Sequence, residues 1–308
     1  MSRFIDYDAK TSTAPQALIV GLTGPSFSGK TNSALRLATG MQRVVGGEIG
    51  FVDTESNRGL QYKNDFAFRH VPFAPPHSPA AYEEAIDYCV GRGFKIVVID
   101  SMSHEHSGEG GVLDQIEDYM AKHDWKESYK WAAHIEPKAQ RRRLNRRIVG
   151  LGGQIIFVLC YRAVDKIKPA PKGSPNKEPV HLGYQAETTS SLPYEMTVRF
   201  LLPPASDGRP NLTPDTEFEK LSIKMPGSFR EWFKPGLQLT EDLGERLARW
   251  SVGETVKTQS DNPLAVELRR LRWDKQKIEA YLATYNVSRL SELTPGKAIE
   301  VLAELKSY

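Results

Sequence analysis

The sequence predicts an α/β protein with a mostly parallel, twisted sheet and helices on both faces. A glycine-rich loop, GPSFSGKT at 24–31, lies between an apolar run and a helical segment. Short β-branched runs such as KIVVID at 95–100 alternate with helical segments, the pattern of parallel strands joined by crossover helices. The 308 residues, 40% hydrophobic and 26% charged, suit a globular protein with one large domain and a small appendage.

The core elements follow from apolar runs and turn signals. The predicted buried strands are 16–22, 48–53, 67–71, 95–100 and 154–160, and 194–202 and 219–225 are expected to add antiparallel strands. The predicted helices are 29–41, 80–90, two segments that meet near Pro137 and reach about Val149, and a closing helix over 239–250. The 25 residues or so from 162 to 187 are rich in Pro, Gly and Lys and predict a long functional or disordered loop.

Four regions are expected along the chain. Residues 1–16 form a flexible arm, 17–250 the α/β core, 251–261 a polar linker, and 262–308 a small three-helix module. In that module, Leu264, Leu268 and Leu271 follow helical spacing behind Asn262 and Pro263, a common helix start. We expect either a partner- or DNA-binding accessory module or a packing appendage.

Composition excludes several classes of protein. No run of about 18 apolar residues exists, so the sequence predicts neither a transmembrane helix nor a membrane partner. The N-terminus lacks an apolar segment of signal-peptide type, and two cysteines, Cys89 and Cys160, cannot form a disulfide framework. A cytoplasmic protein with two buried, unreactive thiols is the expectation.

The loop at 24–31 has the full phosphate-binding pattern Gly24-x-x-x-x-Gly29-Lys30-Thr31. Its backbone N–H groups and the following helix N-terminus favour phosphate, Lys30 is expected at the β- and γ-phosphates, and Thr31 at Mg²⁺. The predicted cofactors are therefore ATP and Mg²⁺. The predicted nucleotide-binding residues are Gly24, Pro25, Ser26, Phe27, Ser28, Gly29, Lys30, Thr31 and Asn32.

Two acids complete the predicted catalytic set with Lys30. Asp100 ends a predicted strand, where a carboxylate would face the same crevice as the loop and bind Mg²⁺ beside Thr31. Glu55 follows the strand 48–53 and is the candidate for activating water. Asp53 and Glu105 are alternatives for that role.

The segments GPSFSGKT, FVDTES and KIVVIDS, in this order, resemble those of the RecA-type recombinase ATPases, and the resemblance spans about residues 17–202. The chain looks most like the compact RecA-like ATPases that phages and prophages carry, which act in single-strand annealing and recombination. The resemblance implies a RecA-like core, Glu55 as catalytic glutamate and Asp100 as magnesium-side acid. It also implies that the chain binds single-stranded DNA and forms a homo-oligomeric ring or filament. It further implies a recombination or single-strand-binding protein as partner and a location in the cytoplasm of a bacterial host.

The same resemblance places the first DNA-binding loop at SHEHSGEGG (103–111) and the second at 163–187. This chain departs from the family at Cys160-Tyr161-Arg162, where a polar pair usually stands and its Gln couples the γ-phosphate to DNA. Arg162 is the candidate substitute. The family's usual N-terminal polymerisation element is not found.

Basic residues supply the DNA candidates, since Lys and Arg contact phosphate without sequence preference. The first group lies in or beside the 163–187 loop: Arg162, Lys166, Lys168, Lys172 and Lys177. Tyr184 is a candidate for base stacking, and a mobile solvated loop is the alternative. The second group belongs to the run AQRRRLNRRI: Arg142, Arg143 and Arg146. DNA, the γ-phosphate of a neighbouring subunit and a solvated helix face remain open for this run.

Two further patterns favour ordinary structural roles. His104-Glu105-His106 lacks an apparent fourth ligand, so a polar loop is favoured over a metal site. Trp125 and Trp131 lie in helical sequence and are expected in the core. The leading hypothesis is thus an ATP-dependent single-stranded-DNA-binding ATPase of recombination or annealing. The alternative is a nucleotide-gated assembly protein with little turnover and no DNA role.

Overall fold

The computed structural model describes residues 15–170 and 178–254, and 263–305 except 272, 274, 286, 288–292 and 294. Its core is one seven-stranded sheet. The strands are β1 (Ile19–Gly24), β2 (Ile49–Asp53), β3 (Arg69–Pro72), β4 (Ile96–Asp100), β5 (Ile156–Lys168), β6 (Val180–Ala186) and β7 (Val198–Leu201). The order is β3-β2-β4-β5-β1-β7, every pair in it is parallel, and β6 pairs antiparallel with β5.

Helices cover both faces of this sheet. In the first unit they are α1 (Lys30–Val45), α2 (Pro79–Gly91), α3 (His104–Ser107), α4 (Val112–Lys122), α5 (Lys130–Ala133), α6 (Ile135–Leu151), α7 (Leu192–Glu195), α8 (Glu217–Ser222) and α9 (Glu241–Ser251). One apolar core joins a sheet face to α1 and α9, and a second joins the other face to α2 and α6. Strands buried on both faces read as continuous apolar runs, as these do. The predicted α/β class with a mostly parallel sheet is confirmed.

Parallel pairing brings four segments to one edge of the sheet. The phosphate loop follows β1, Glu55 follows β2, Ser101 follows β4, and β5 continues past the edge as a hairpin with β6. Asp53 pairs with Asp100 in the register of β2 and β4, and Gly24 pairs with Arg162 in that of β1 and β5. The candidate site is therefore assembled from four segments that are far apart in sequence.

The predicted long loop after Cys160 is wrong in its described part. β5 runs on to Lys168 and pairs with β6, from Ala163 opposite Ala186 to Lys168 opposite Val180. Beyond Arg162, β5 no longer pairs with β1, and its residues 164–168 are exposed, so this part of the strand gives no continuous apolar run. Residues 171–177, with the DNA candidates Lys172 and Lys177, lie outside the described residues.

Of the two predicted antiparallel strands, the first exists but is parallel, and the second is mostly helical. Within 194–202 the chain forms the end of α7 and then β7, which runs parallel to β1. Most of 219–225 is the helix α8, because the Thr216 hydroxyl accepts from the N–H of Glu219 and caps its start. Only Lys224 makes an isolated antiparallel bridge, to Arg199.

Residues 257–308 form a second compact unit. Its described helices are α10 (Pro263–Arg270), α11 (Lys275–Ala283) and α12 (Pro295–Leu305). The apolar residues Leu264, Leu268, Val301 and Leu305 form its small core.

Candidate nucleotide-binding site

The phosphate loop is a tight turn between β1 and α1. Gly29 has a φ of 84°, and a Cβ on it would lie 2.5 Å from the backbone N of Gly208, so this position needs glycine. The ammonium of Lys30 donates to the carbonyl of Pro25 at 2.8 Å, which places it within the curl of the loop. The loop thus combines backbone N–H groups, a cation and a helix N-terminus, the features that bind phosphate. Phe27, at a φ of 61°, projects into solvent.

A short hydrogen bond joins this loop to β4. The Thr31 hydroxyl donates to Oδ2 of Asp100 at 2.6 Å. Asp100 is buried, and burial raises the pKa of its carboxyl, while the Thr31 hydrogen bond and Lys30 oppose that shift. A hydroxyl and a carboxylate oxygen at this separation beside a phosphate loop are the hard ligands that Mg²⁺ prefers. The residues present therefore fit the predicted magnesium ion.

Glu55 lies at the same edge, ringed by positive or polar groups. Its Oε2 is 3.0 Å from Nη1 of Arg58, and its Oε1 is 3.6 Å from Nε of Arg162 and 3.9 Å from Nε2 of His104. Its charge contributes to the raised pKa of Asp100, so the two carboxylates interact. Glu55 is thus a partly exposed carboxylate near the candidate metal ligands, as a water-activating base requires.

The two alternatives to Glu55 are occupied by structural contacts. The carboxylate of Asp53 accepts from the N–H of Glu55 and the N–H of Gly59, both at 2.8 Å, and lies 2.9 Å from Nε2 of His70. This pattern fixes the turn that presents Glu55. Glu105 is buried, and its carboxylate accepts two hydrogen bonds from Arg141.

The arginine run of α6 is divided between paired and exposed side chains. Arg141 donates to Glu105 at 2.6 and 2.9 Å and to the Thr189 hydroxyl at 2.6 Å, so it is a structural residue. Arg143 and Arg147 form surface ion pairs with Glu136 and Asp87. Arg142 and Arg146 are exposed and have no ion pair among the described residues. Arg142 and Arg146 are thus the exposed arginines of the run that have no ion pair among the described residues.

The base of the β5–β6 hairpin contacts the candidate site through Arg162. Its guanidinium lies near Glu55 and also 3.9 Å from Oε2 of Glu187, which follows β6. Lys166 and Lys168 are exposed further along β5. Arg162 therefore connects the hairpin to the carboxylate that the sequence singles out as the base.

The tryptophan prediction is wrong. Trp131 is 84% exposed and Trp125 is 61% exposed, and Ile135 nearby is 67% exposed. The helical spacing of apolar residues in this region did not indicate which of them would be exposed. The His104–His106 segment is helical, and among the described residues no group of three or more His, Cys, Asp or Glu could hold a metal ion.

Sequence reasoning missed the hydrogen-bonding roles of Thr54, Arg58 and His104 around Glu55. The Thr54 hydroxyl lies 2.7 Å from Nδ1 of His104 and accepts from the N–H of Ser101 at 2.7 Å. Thr54 and Arg58 lie within three residues of Glu55, so their closeness in sequence was the signal that could have identified them. The sequence around His104 indicated only a polar loop or a metal ligand.

No protein-family model matches the chain, and no curated protein matches it. Among solved structures it is similar to the KaiC-like protein PH0186 from the hyperthermophilic archaeon Pyrococcus horikoshii OT3, with 15% identity and a TM-score of 0.29. The similarity covers 57% of this chain and 82% of that one. Within its described residues, no helix is long and apolar enough to cross a bilayer.

Proposed function

We propose that this chain is a Mg²⁺-dependent ATPase that binds single-stranded DNA in recombination or strand annealing, as a homo-oligomeric ring or filament. The observation that carries the ATPase part is the 2.6 Å hydrogen bond between Thr31 and Asp100 beside the phosphate loop, with Glu55 on the next strand end. The DNA part rests on the hairpin and on the resemblance to RecA-type recombinases.

The chemistry assigns a role to each side chain. The loop N–H groups and Lys30 would bind the phosphates, and Thr31 and Asp100 would hold Mg²⁺, which would neutralise phosphate charge. Glu55 accepts a proton from the attacking water as the water oxygen bonds to the γ-phosphorus. The bond from that phosphorus to the bridging oxygen breaks and yields ADP and phosphate.

The hairpin is the proposed DNA element. Lys166 and Lys168 offer exposed cations, and Arg162 at its base contacts both Glu55 and Glu187. DNA phosphates bound along the hairpin would change the electrostatic field around Arg162. This would alter the interaction of Arg162 with Glu55 and so the mobility of the Glu55 side chain. This arrangement supports an ATPase whose turnover depends on DNA.

Replacing both hairpin lysines tests the DNA part. Lys166→Ala/Lys168→Ala should weaken binding to oligo-dT and reduce the slope of log K against log salt by about 0.7 for each DNA phosphate that is no longer neutralised. Arg92→Ala/Lys95→Ala removes two exposed cations at the opposite edge of the sheet and is the matched control. An unchanged slope in the hairpin variant would remove the hairpin from the DNA interface.

The alternative function, a nucleotide-gated assembly protein without a DNA role, has one observation in its favour. Trp125, Trp131 and Ile135 expose large apolar side chains close together in sequence, a feature of protein-binding surfaces. Light scattering with and without ATP tests it. Assembly that needs ATP and is lost in Trp131→Ala, with no binding of oligo-dT, would favour this alternative.

A further inference from the structure

His104 bridges the turn after β2 and the loop after β4. Its Nδ1 lies 2.7 Å from the Thr54 hydroxyl, and its Nε2 lies 3.9 Å from Oε1 of Glu55. The ring stacks on His77 with centroids 5.1 Å apart, and its side chain is only 13% exposed. Packing and the Thr54 contact thus fix the plane of the imidazole, with one nitrogen directed at Glu55.

The hydrogen bonds around Thr54 indicate which nitrogen carries the proton. The hydroxyl has one hydrogen and two possible acceptors, His104 Nδ1 at 2.7 Å and Ser101 O at 3.2 Å. Ser101 O already accepts from the Tyr82 hydroxyl at 2.6 Å. We assign the Thr54 hydrogen to the nearer acceptor, Nδ1, which puts the proton of the neutral ring on Nε2, on the side of the Glu55 carboxylate.

The charge state suits this assignment. Burial lowers the pKa of His104, and the nearby Arg162 lowers it further, so the ring is neutral at neutral pH. The cations Arg58 and Arg162 already lie beside the Glu55 carboxylate. A neutral N–H group 3.9 Å from Oε1 of Glu55 can orient that carboxylate oxygen without adding a third positive charge.

We propose that His104 is a positioning residue for Glu55, held by Thr54, which also donates its backbone N–H to the carbonyl of Asp100 at 2.9 Å. The contact sequence Asp100–Thr54–His104–Glu55 then links the magnesium-side strand end to the base. The inference rests on the proposed ATPase function with Glu55 as base. It adds a residue that has no part in binding the nucleotide.

Two substitutions distinguish the roles of the two ring nitrogens of His104. The amide of Gln reaches the position of Nε2, whereas the amide of Asn reaches only that of Nδ1. His104→Asn should lower kcat for ATP roughly 10- to 100-fold, the range for residues that orient a reacting group, with the Kd for ATP unchanged. His104→Gln should retain most of kcat, and the control His106→Asn, two residues away, should match the wild type.

A double variant tests whether His104 acts through Glu55. Glu55→Gln/His104→Asn should turn over no more slowly than Glu55→Gln alone. Additive losses would overturn the inference, as would wild-type turnover in His104→Asn. Equal losses in the Asn and Gln variants with a lowered unfolding midpoint would show a packing role only. A wild-type chain without turnover would overturn the proposed function as well, whereas the other outcomes leave that function intact.

Discussion

The Thr31 hydroxyl donates to Oδ2 of Asp100 across 2.6 Å and joins the phosphate loop to the end of β4. If both oxygens hold Mg²⁺, Asp100→Asn should lower kcat by about 100-fold or more and weaken ATP binding only when Mg²⁺ is present. Titration with a fluorescent ATP analogue, with Mg²⁺ and with EDTA, checks this. Thr31→Ser keeps the hydroxyl and is the control. Equal weakening in EDTA would show that Asp100 acts on the fold of the loop.

Glu55→Gln removes the proposed base and keeps the shape of the side chain. We expect turnover to fall by roughly 10²- to 10⁴-fold while ATP binding persists, because proton transfer from water is the step removed. Phosphate release measured at saturating ATP checks this. Glu105→Gln is the comparison, since the carboxylate of Glu105 is paired with Arg141. A larger loss of turnover in Glu105→Gln would move the base to that residue.

The Arg141–Glu105 pair is nearly buried, with side chains 12% and 3% exposed. Arg141→Ala leaves a buried carboxylate without its charged partner and should lower the free energy of unfolding by about 3–5 kcal/mol. Arg143→Ala breaks an exposed pair and should cost no more than about 1 kcal/mol. Urea denaturation measures both. Equal losses would mean that Arg141 is not structural.

The sequence allowed the nucleotide loop and the ends of β2 and β4 to be predicted, because each is a fixed pattern beside a strongly apolar strand. It did not allow the hairpin to be predicted, because residues 164–168 of β5 are exposed and form no continuous apolar run. The secondary structure of 219–225 depended on the helix N-cap Thr216, which favours a helix over a strand. The side chains around Glu55 come from three segments, the turn after β2, the segment after β4 and β5, so only the folded sheet edge brings them together.

Helices α1 and α9 pack closely through glycine. A Cβ on Gly244 would lie 2.1 Å from the carbonyl oxygen of Leu37, so Gly244→Ala should destabilise the protein by roughly 1–3 kcal/mol. A Cβ on Gly150, within α6, would meet nothing within 4 Å. Gly150→Ala should therefore stabilise the protein by about 0.4–1 kcal/mol. Thermal and urea unfolding test the opposite signs, and destabilisation by both would contradict the close packing of α1 and α9 as the cause.

Both cysteines are buried thiols. Burial raises the pKa of Cys89 to about 12 and raises that of Cys160 as well. Because the thiolate is the reactive form, neither should react with a disulfide reagent at pH 8 until the chain unfolds. Labelling with and without guanidinium should count two thiols in the unfolded chain and none in the native one. Rapid labelling of the native chain would show that a thiol is exposed.

The central claim is an ATPase coupled to single-stranded DNA, and the ATPase rate with and without oligo-dT tests it most directly. The measurement is made at saturating Mg²⁺ and ATP, with Glu55→Gln as the background and particle size followed in parallel. We expect DNA to raise the rate of the wild type and not that of Glu55→Gln. A wild-type rate that is above background but unchanged by DNA, with no DNA binding, would contradict the claim.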